Sequence, residues 1–141
     1  MSSNISFAQL SKKLRAISVD MEQFVKDETE AVGRDIENDA KDNASRILNA
    51  PPELKQRISS QVLDGGFTTR VSQNFLPLGA YIEFGTGAFV EVSDEWREMA
   101  LTFYKNGKGT LRAHPYLYPA FTLNREKYIE TLKKKLKSLS L

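Results

Sequence analysis

Glu83 and His114 are the side chains whose types could do acid–base chemistry, because a carboxylate and an imidazole within reach of each other can pass a proton. They sit in two short, aromatic-rich blocks: Gly-Ala-Tyr-Ile-Glu-Phe-Gly-Thr-Gly at 79–87 and His-Pro-Tyr-Leu-Tyr-Pro-Ala-Phe at 114–121. Neither block supplies a serine, a cysteine or a second carboxylate to complete a reaction centre. Glu83 has a second role open to it, which is to fasten corners. Its carboxylate would accept charge-assisted hydrogen bonds from backbone amides near residues 85–87 or around His114. The fastening role is favoured, so no catalytic residue is expected.

Gly85-Thr86-Gly87 has the look of a phosphate-cradling turn but lacks the Lys-Ser/Thr of a P-loop. It reads instead as a bend with positive φ. Lys133, Lys134, Lys135 and Lys137, with Arg125 and Lys127 upstream, form a basic face near the end of the chain. Such a face can touch phosphates, but lysines there also complement a helix C-terminus and keep it solvated. The solvated face is favoured. Trp96 and the cluster Tyr116, Tyr118 and Phe121 suit core or subunit anchors, since aromatics bury large areas.

The bulk composition narrows the classes further. The chain has 141 residues, enough for one domain with a real core, and 27% charged with 40% hydrophobic residues is ordinary for a globular protein. With no cysteine and one histidine, thiolate chemistry, disulfides and multi-imidazole metal sites are excluded, and no cofactor is expected. A net charge of +2 predicts neither nucleic-acid nor membrane binding. No apolar run approaches the ~18 residues of a membrane span, and Met-Ser-Ser-Asn-Ile-Ser is no signal peptide. Synthesis in a cytoplasm is the expectation.

The elements that must position the two blocks can be read from periodicity. Ser6 with Gln9 fits a capping box, with Ile5 and Leu10 as its hydrophobic staple. Phe7, Leu10, Leu14, Ile17, Met21 and Phe24 then alternate spacings of 3 and 4, the stripe of a helix. Val32, Ile36, Ala40, Ala44 and Ile47 make a second, rotated stripe, with Gly33 between. Residues 6–49 therefore read as one long helix or two stacked ones, stopped by Pro51 and Pro52. A single helix that long would outrun its own sheet, so part of it should project. Its 7–24 stripe would then pack on the sheet and on a neighbouring subunit.

Residues 58–63 and 67–73 alternate around Asp64-Gly65-Gly66, which predicts a β-hairpin. Residues 80–84 read as a third strand after the Pro77-Leu78-Gly79 corner, and 111–118 as a possible fourth. An excursion at about 88–113 carries its own short helix from Ser93, with Trp96 on its apolar stripe, and ends in a basic loop tip holding Lys105 and Lys108. Pro119 suits the first position of a terminal helix. The fold class is α+β: one domain over 1–141, a long N-terminal helix on a small antiparallel sheet of three to four strands, an inserted short helix and a C-terminal helix.

At the two blocks the chain resembles the tail-component family of long-tailed bacteriophages, which are neck or tail-completion proteins. The family pattern, Glu-Phe-Gly-Thr and later Pro-Phe-Leu-x-Pro-Ala, matches Glu83, Phe84, Gly85 and Thr86, preceded by Tyr81, and then Pro115, Tyr116, Leu117, Pro119 and Ala120. Tyr116 stands where Phe is commoner, and Ala50-Pro-Pro-Glu-Leu54 replaces a turn that usually contains glycine. The resemblance implies a structural virion protein of the head–tail neck that catalyses nothing. It implies a homo-oligomer, a ring of six subunits, docked to connector or head-completion proteins and to tail-terminator or tail-tube proteins. DNA would be passing cargo, and no membrane is involved. Phe7, Leu10, Leu14, Trp96, Lys105, Lys108 and Arg112 are the candidate contacts. The alternatives are a tail terminator or other minor tail protein, a DNA-binding module using the basic face, and a small enzyme using Glu83 and His114.

Overall fold

The computed structural model describes residues 6–85 and 112–139. Helix α1, Phe7–Ser45, is one continuous rod of 39 residues, ~58 Å at 1.5 Å per residue. Its capping box forms as expected: the Gln9 amide donates to Ser6 Oγ at 3.2 Å, and the Ser6 amide donates to Gln9 Oε1 at 2.9 Å. The proposed staple residue Ile5 lies outside the described residues. Gly33 does not break the helix. A Cβ there would overlap the Thr69 hydroxyl, so the glycine lets the hairpin come close against the helix.

After α1 the chain turns through Asn49, at φ 63°, into the short helix α2, Pro52–Gln56. The hairpin follows as strands β1, Ile58–Leu63, and β2, Thr68–Gln73. They pair antiparallel with Ile58 opposite Gln73 and Leu63 opposite Thr68. The reversal uses a short 3₁₀ turn over Asp64–Gly66, where Asp64, Gly65 and Gly66 all take positive φ. Helix α3, Leu78–Phe84, comes next, and helix α4, Leu117–Ser138, closes the described chain.

The core lies where the second half of α1 meets the other elements. Ile36, Ala40 and Ala44 are buried against Leu54, Ile58, Ile82, Tyr116 and Ala120. Within α1 it is the second stripe, not the first, that forms the core. Helix α4 runs antiparallel to α1. Asn43 Nδ2 donates to the Tyr116 carbonyl at 3.1 Å, Asn124 Nδ2 donates to Asp39 Oδ2 at 2.8 Å, and the Thr29 and Tyr128 hydroxyls meet at 2.9 Å. At the far end Lys135 Nζ lies 5.0 Å from the centre of the Phe24 ring.

The class is α+β as expected, but the sheet has two strands among the described residues. Residues 80–84 belong to a helix, because the segment is bounded by Pro77 at its N-cap and by Gly85, with φ 76°, at its C-cap. The suggested fourth strand does not form among its described residues either: residues 112–116 are irregular, and Leu117 already begins α4. Pro119 is the third residue of α4, not the first. The hairpin packs on the second half of α1, through Thr69 at Gly33 and Ser60 at Glu37, so the 7–24 stripe is not covered by the sheet. Phe7 is 87% exposed and Leu14 46% exposed. Most of the 88–113 excursion, with Trp96, Lys105 and Lys108, lies outside the described residues, as does Thr86.

Candidate interaction corner

Helix α3 carries one buried carboxylate, that of Glu83. Its glycine at 79 lets the backbone approach Gln73, whose side-chain oxygen takes the Phe75 amide at 2.9 Å. Its last turn ends where the Gly85 amide reaches the Tyr81 carbonyl at 2.6 Å. Between these ends, Ala80, Ile82, Glu83 and Phe84 are all buried. Glu83, 4% exposed, points at the start of α4.

There the carboxylate accepts three backbone amides. Oε2 takes the amides of Tyr116 and Leu117, each at 2.9 Å, and Oε1 takes that of Tyr118 at 2.8 Å. These are the N-cap and the first two residues of α4. The first four amides of a helix have no partner within it, and the fourth position here is Pro119, which has no N–H. Glu83 and Pro119 together therefore account for every orphan donor at that terminus. The carboxylate also meets the positive end of the helix dipole. Tyr116 itself provides no side-chain cap, so the cap comes from 33 residues earlier in the chain.

The corner is tied twice more. The buried Tyr116 hydroxyl donates to the Gly79 carbonyl at 3.0 Å, and the His114 amide donates to the Ile82 carbonyl at 2.7 Å. The Phe84 and Tyr118 rings lie parallel with centres 6.4 Å apart. Burial lifts the Glu83 carboxyl above its usual range, and the three amides act against that shift. Burial, and next the Glu83 charge, push the Tyr116 and Tyr118 hydroxyls upward.

The expected fastening role of Glu83 is what the geometry provides, with the amides two to four residues beyond His114 as its targets. The His114 side chain is exposed, and no hydrogen bond joins it to Glu83 among the described residues. Tyr81, Phe84, Gly85, Pro115, Tyr116, Leu117, Pro119 and Ala120 are brought together around the clasp; Ala120 and Tyr116 enter the core. Phe7, Leu10 and Leu14 lie far along α1, and Arg112 is exposed beside the corner. On the basic face, Lys127, Lys133, Lys134 and Lys137 are exposed, while Lys135 covers Phe24 and Arg125 covers the Phe121 ring at 5.3 Å.

One tie was not anticipated. Glu37 on α1 takes both the amide and the hydroxyl of Ser60, at 2.9 and 2.6 Å, and pairs with Lys41. It thereby occupies an outward-facing amide of β1, whereas β2 has no strand on its outer side among the described residues. A Glu-x-x-x-Lys spacing read only as a surface helix pair conceals this second duty.

Compared with known proteins, the chain matches no family model, no curated protein and no solved structure. No described helix is long and apolar enough to cross a membrane.

Proposed function

We propose that this chain is a structural protein of the head–tail neck of a long-tailed bacteriophage, working by ring assembly and not by catalysis. The observation that carries the reading is the Glu83 clasp. The two blocks on which the resemblance rests are one object in space, a corner in which Glu83 accepts the amides of Tyr116, Leu117 and Tyr118. A carboxylate so engaged is spent on architecture. The corner holds Gly85 and His114, and the excursion between them would meet a connector or tail protein.

Lateral contacts between six subunits would use the outer side of β2, since an open strand edge is a template for another chain. Arg112 and the lysines of the excursion would face acidic partner surfaces or the passing DNA. The site of action would be the virion, at the neck or the top of the tail.

The test is deletion of the gene from a phage that carries it. Filled heads and finished tails that stay separate, joined again by supplying the protein, are the expected result. Normal, infectious joined particles without the protein overturn the reading.

A further inference from the structure

The projecting half of α1 carries a seam whose spacing names its occupant. Phe7, Leu10, Leu14, Ile17, Met21 and Phe24 fall on strict a and d positions of a heptad, the narrow stripe of a two-helix coiled coil. Phe7 is 87% exposed and Leu14 46% exposed, while Ile17, Met21 and Phe24 are half-buried. Beside Phe24, the last turn of α4 leaves Leu136 57% exposed. The seam is thus apolar, regular and unpartnered among the described residues over its first half.

Its spacing reads the same in both directions. Laid antiparallel against a second copy, Phe7 meets Phe24 once the Lys135 ammonium swings off that ring, Leu10 meets Met21 and Leu14 meets Ile17, so every layer pairs apolar with apolar. The flanking charges decide between orientations. On one flank of the seam the heptad g positions are Lys13, Asp20 and Asp27. In the antiparallel arrangement Lys13 faces Asp20 of the second copy, and the twofold repeats that pair further along the same flank. In a parallel arrangement those residues face the e positions instead, here Ser18 and Val25, with no opposite charge. Neither Lys13 nor Asp20 has an ion-pair partner within the chain among the described residues.

We infer that the free chain forms a twofold dimer by antiparallel pairing of the first halves of two α1 helices, a self-complementary interface of the kind twofold symmetry requires. Phe7 of each copy would close over Phe24 and Leu136 of the other, covering the apolar surface that α4 leaves open. The pairing is remote from β2, so it does not use the edge assigned above to ring contacts. It stands on the helix alone and not on the neck reading.

The experiment is sedimentation equilibrium of the purified full chain with no other protein present. Twice the chain mass is expected for wild type and single-chain mass for Leu14→Asp, with unchanged helical circular dichroism. Lys13→Asp or Asp20→Lys alone should weaken the dimer by roughly tenfold, and the double exchange should restore it. Orientation follows from cross-linking, clean because the chain has no cysteine. A mixture of Leu10→Cys and Met21→Cys chains should form a mixed disulfide, while Leu10→Cys alone should not pair with itself. A monomeric wild type, a dimeric Leu14→Asp, a double exchange that fails to rescue, or self-linking of Leu10→Cys each overturns the proposal.

Discussion

Glu83 and Tyr116 hold each other by both ends of the tyrosine: the Glu83 carboxylate accepts the Tyr116 amide at 2.9 Å, and the Tyr116 hydroxyl donates to the Gly79 carbonyl at the base of the same helix at 3.0 Å. The residue that caps α4 is therefore positioned by the residue it caps. Closing the long intervening segment costs chain entropy, and these bonds, with the packing of Tyr116, offset it.

Removing the clasp should be costly. Glu83→Ala leaves three amides at the start of α4 without their acceptor, and each buried orphan donor costs about 1–3 kcal/mol. Some relief will come from water entering the space, so a total loss of about 3–5 kcal/mol is expected. Glu83→Gln keeps the shape but aims an N–H₂ group at a donor, and should lose about 1–3 kcal/mol. Urea denaturation of the two variants decides it. A Glu83→Ala protein as stable as wild type means the carboxylate is not holding the corner.

Phe84 and Leu117 are neighbours in the corner but differ in burial: Phe84 is enclosed and Leu117 half-buried. Phe84→Ala should lose about 3–5 kcal/mol, through cavity formation and loss of the stack on Tyr118. Leu117→Ala should lose about 1–2 kcal/mol, because solvent already reaches part of the side chain. The order of the two melting temperatures, measured side by side, is the check.

Gly33 makes the opposite case, where a residue disfavoured in helices is needed in one. Alanine would gain about 1 kcal/mol of helix propensity, yet its methyl would overlap the Thr69 hydroxyl. Overpacking of that kind costs about 1–3 kcal/mol, so Gly33→Ala is expected to destabilise. Thr69→Ala should make room, and the double variant should then be more stable than the sum of the single changes allows. Strict additivity in a thermal or urea series would place the cost elsewhere.

These cases show what could be read before the structure and what could not. The α1 stripes, the Asp64-Gly65-Gly66 reversal and the Ser6–Gln9 box are local patterns, and each reappears where its spacing placed it. Residues 80–84 read as a strand because Ala-Tyr-Ile-Glu-Phe alternates like one and is as short as one, and periodicity cannot separate strand from helix at that length. The better signals were at its ends, Pro77 and Gly85, which delimit a helix. Glu83 was legible as a fastener because its block offered it no chemical partner. Its targets on α4, the second duty of Glu37 and the meeting of Gly33 with Thr69 are contacts between distant segments, and no local pattern encodes them.

The Glu37 tie gives a dependence on pH whose sign can be worked out. The hydrogen bond from Lys41, followed by that from Ser60, holds the Glu37 carboxyl below its ordinary value of 4.5. The folded state then binds fewer protons at this site than the unfolded chain. Its stabilising contribution is present above pH 4.5 and disappears as pH falls through the folded value. The stability difference between wild type and Glu37→Gln should therefore be level from neutral pH down to about pH 5 and shrink below it. Glu83 has the opposite sign, because burial raises its carboxyl: the contribution linked to its protonation is greatest in acid and declines as pH rises through the raised value. Urea titrations of wild type and both glutamine variants across the acid range separate the two. A wild-type-to-Glu37→Gln difference that grows towards low pH would mean the α1–β1 tie is made by the protonated acid, contrary to the geometry at Ser60.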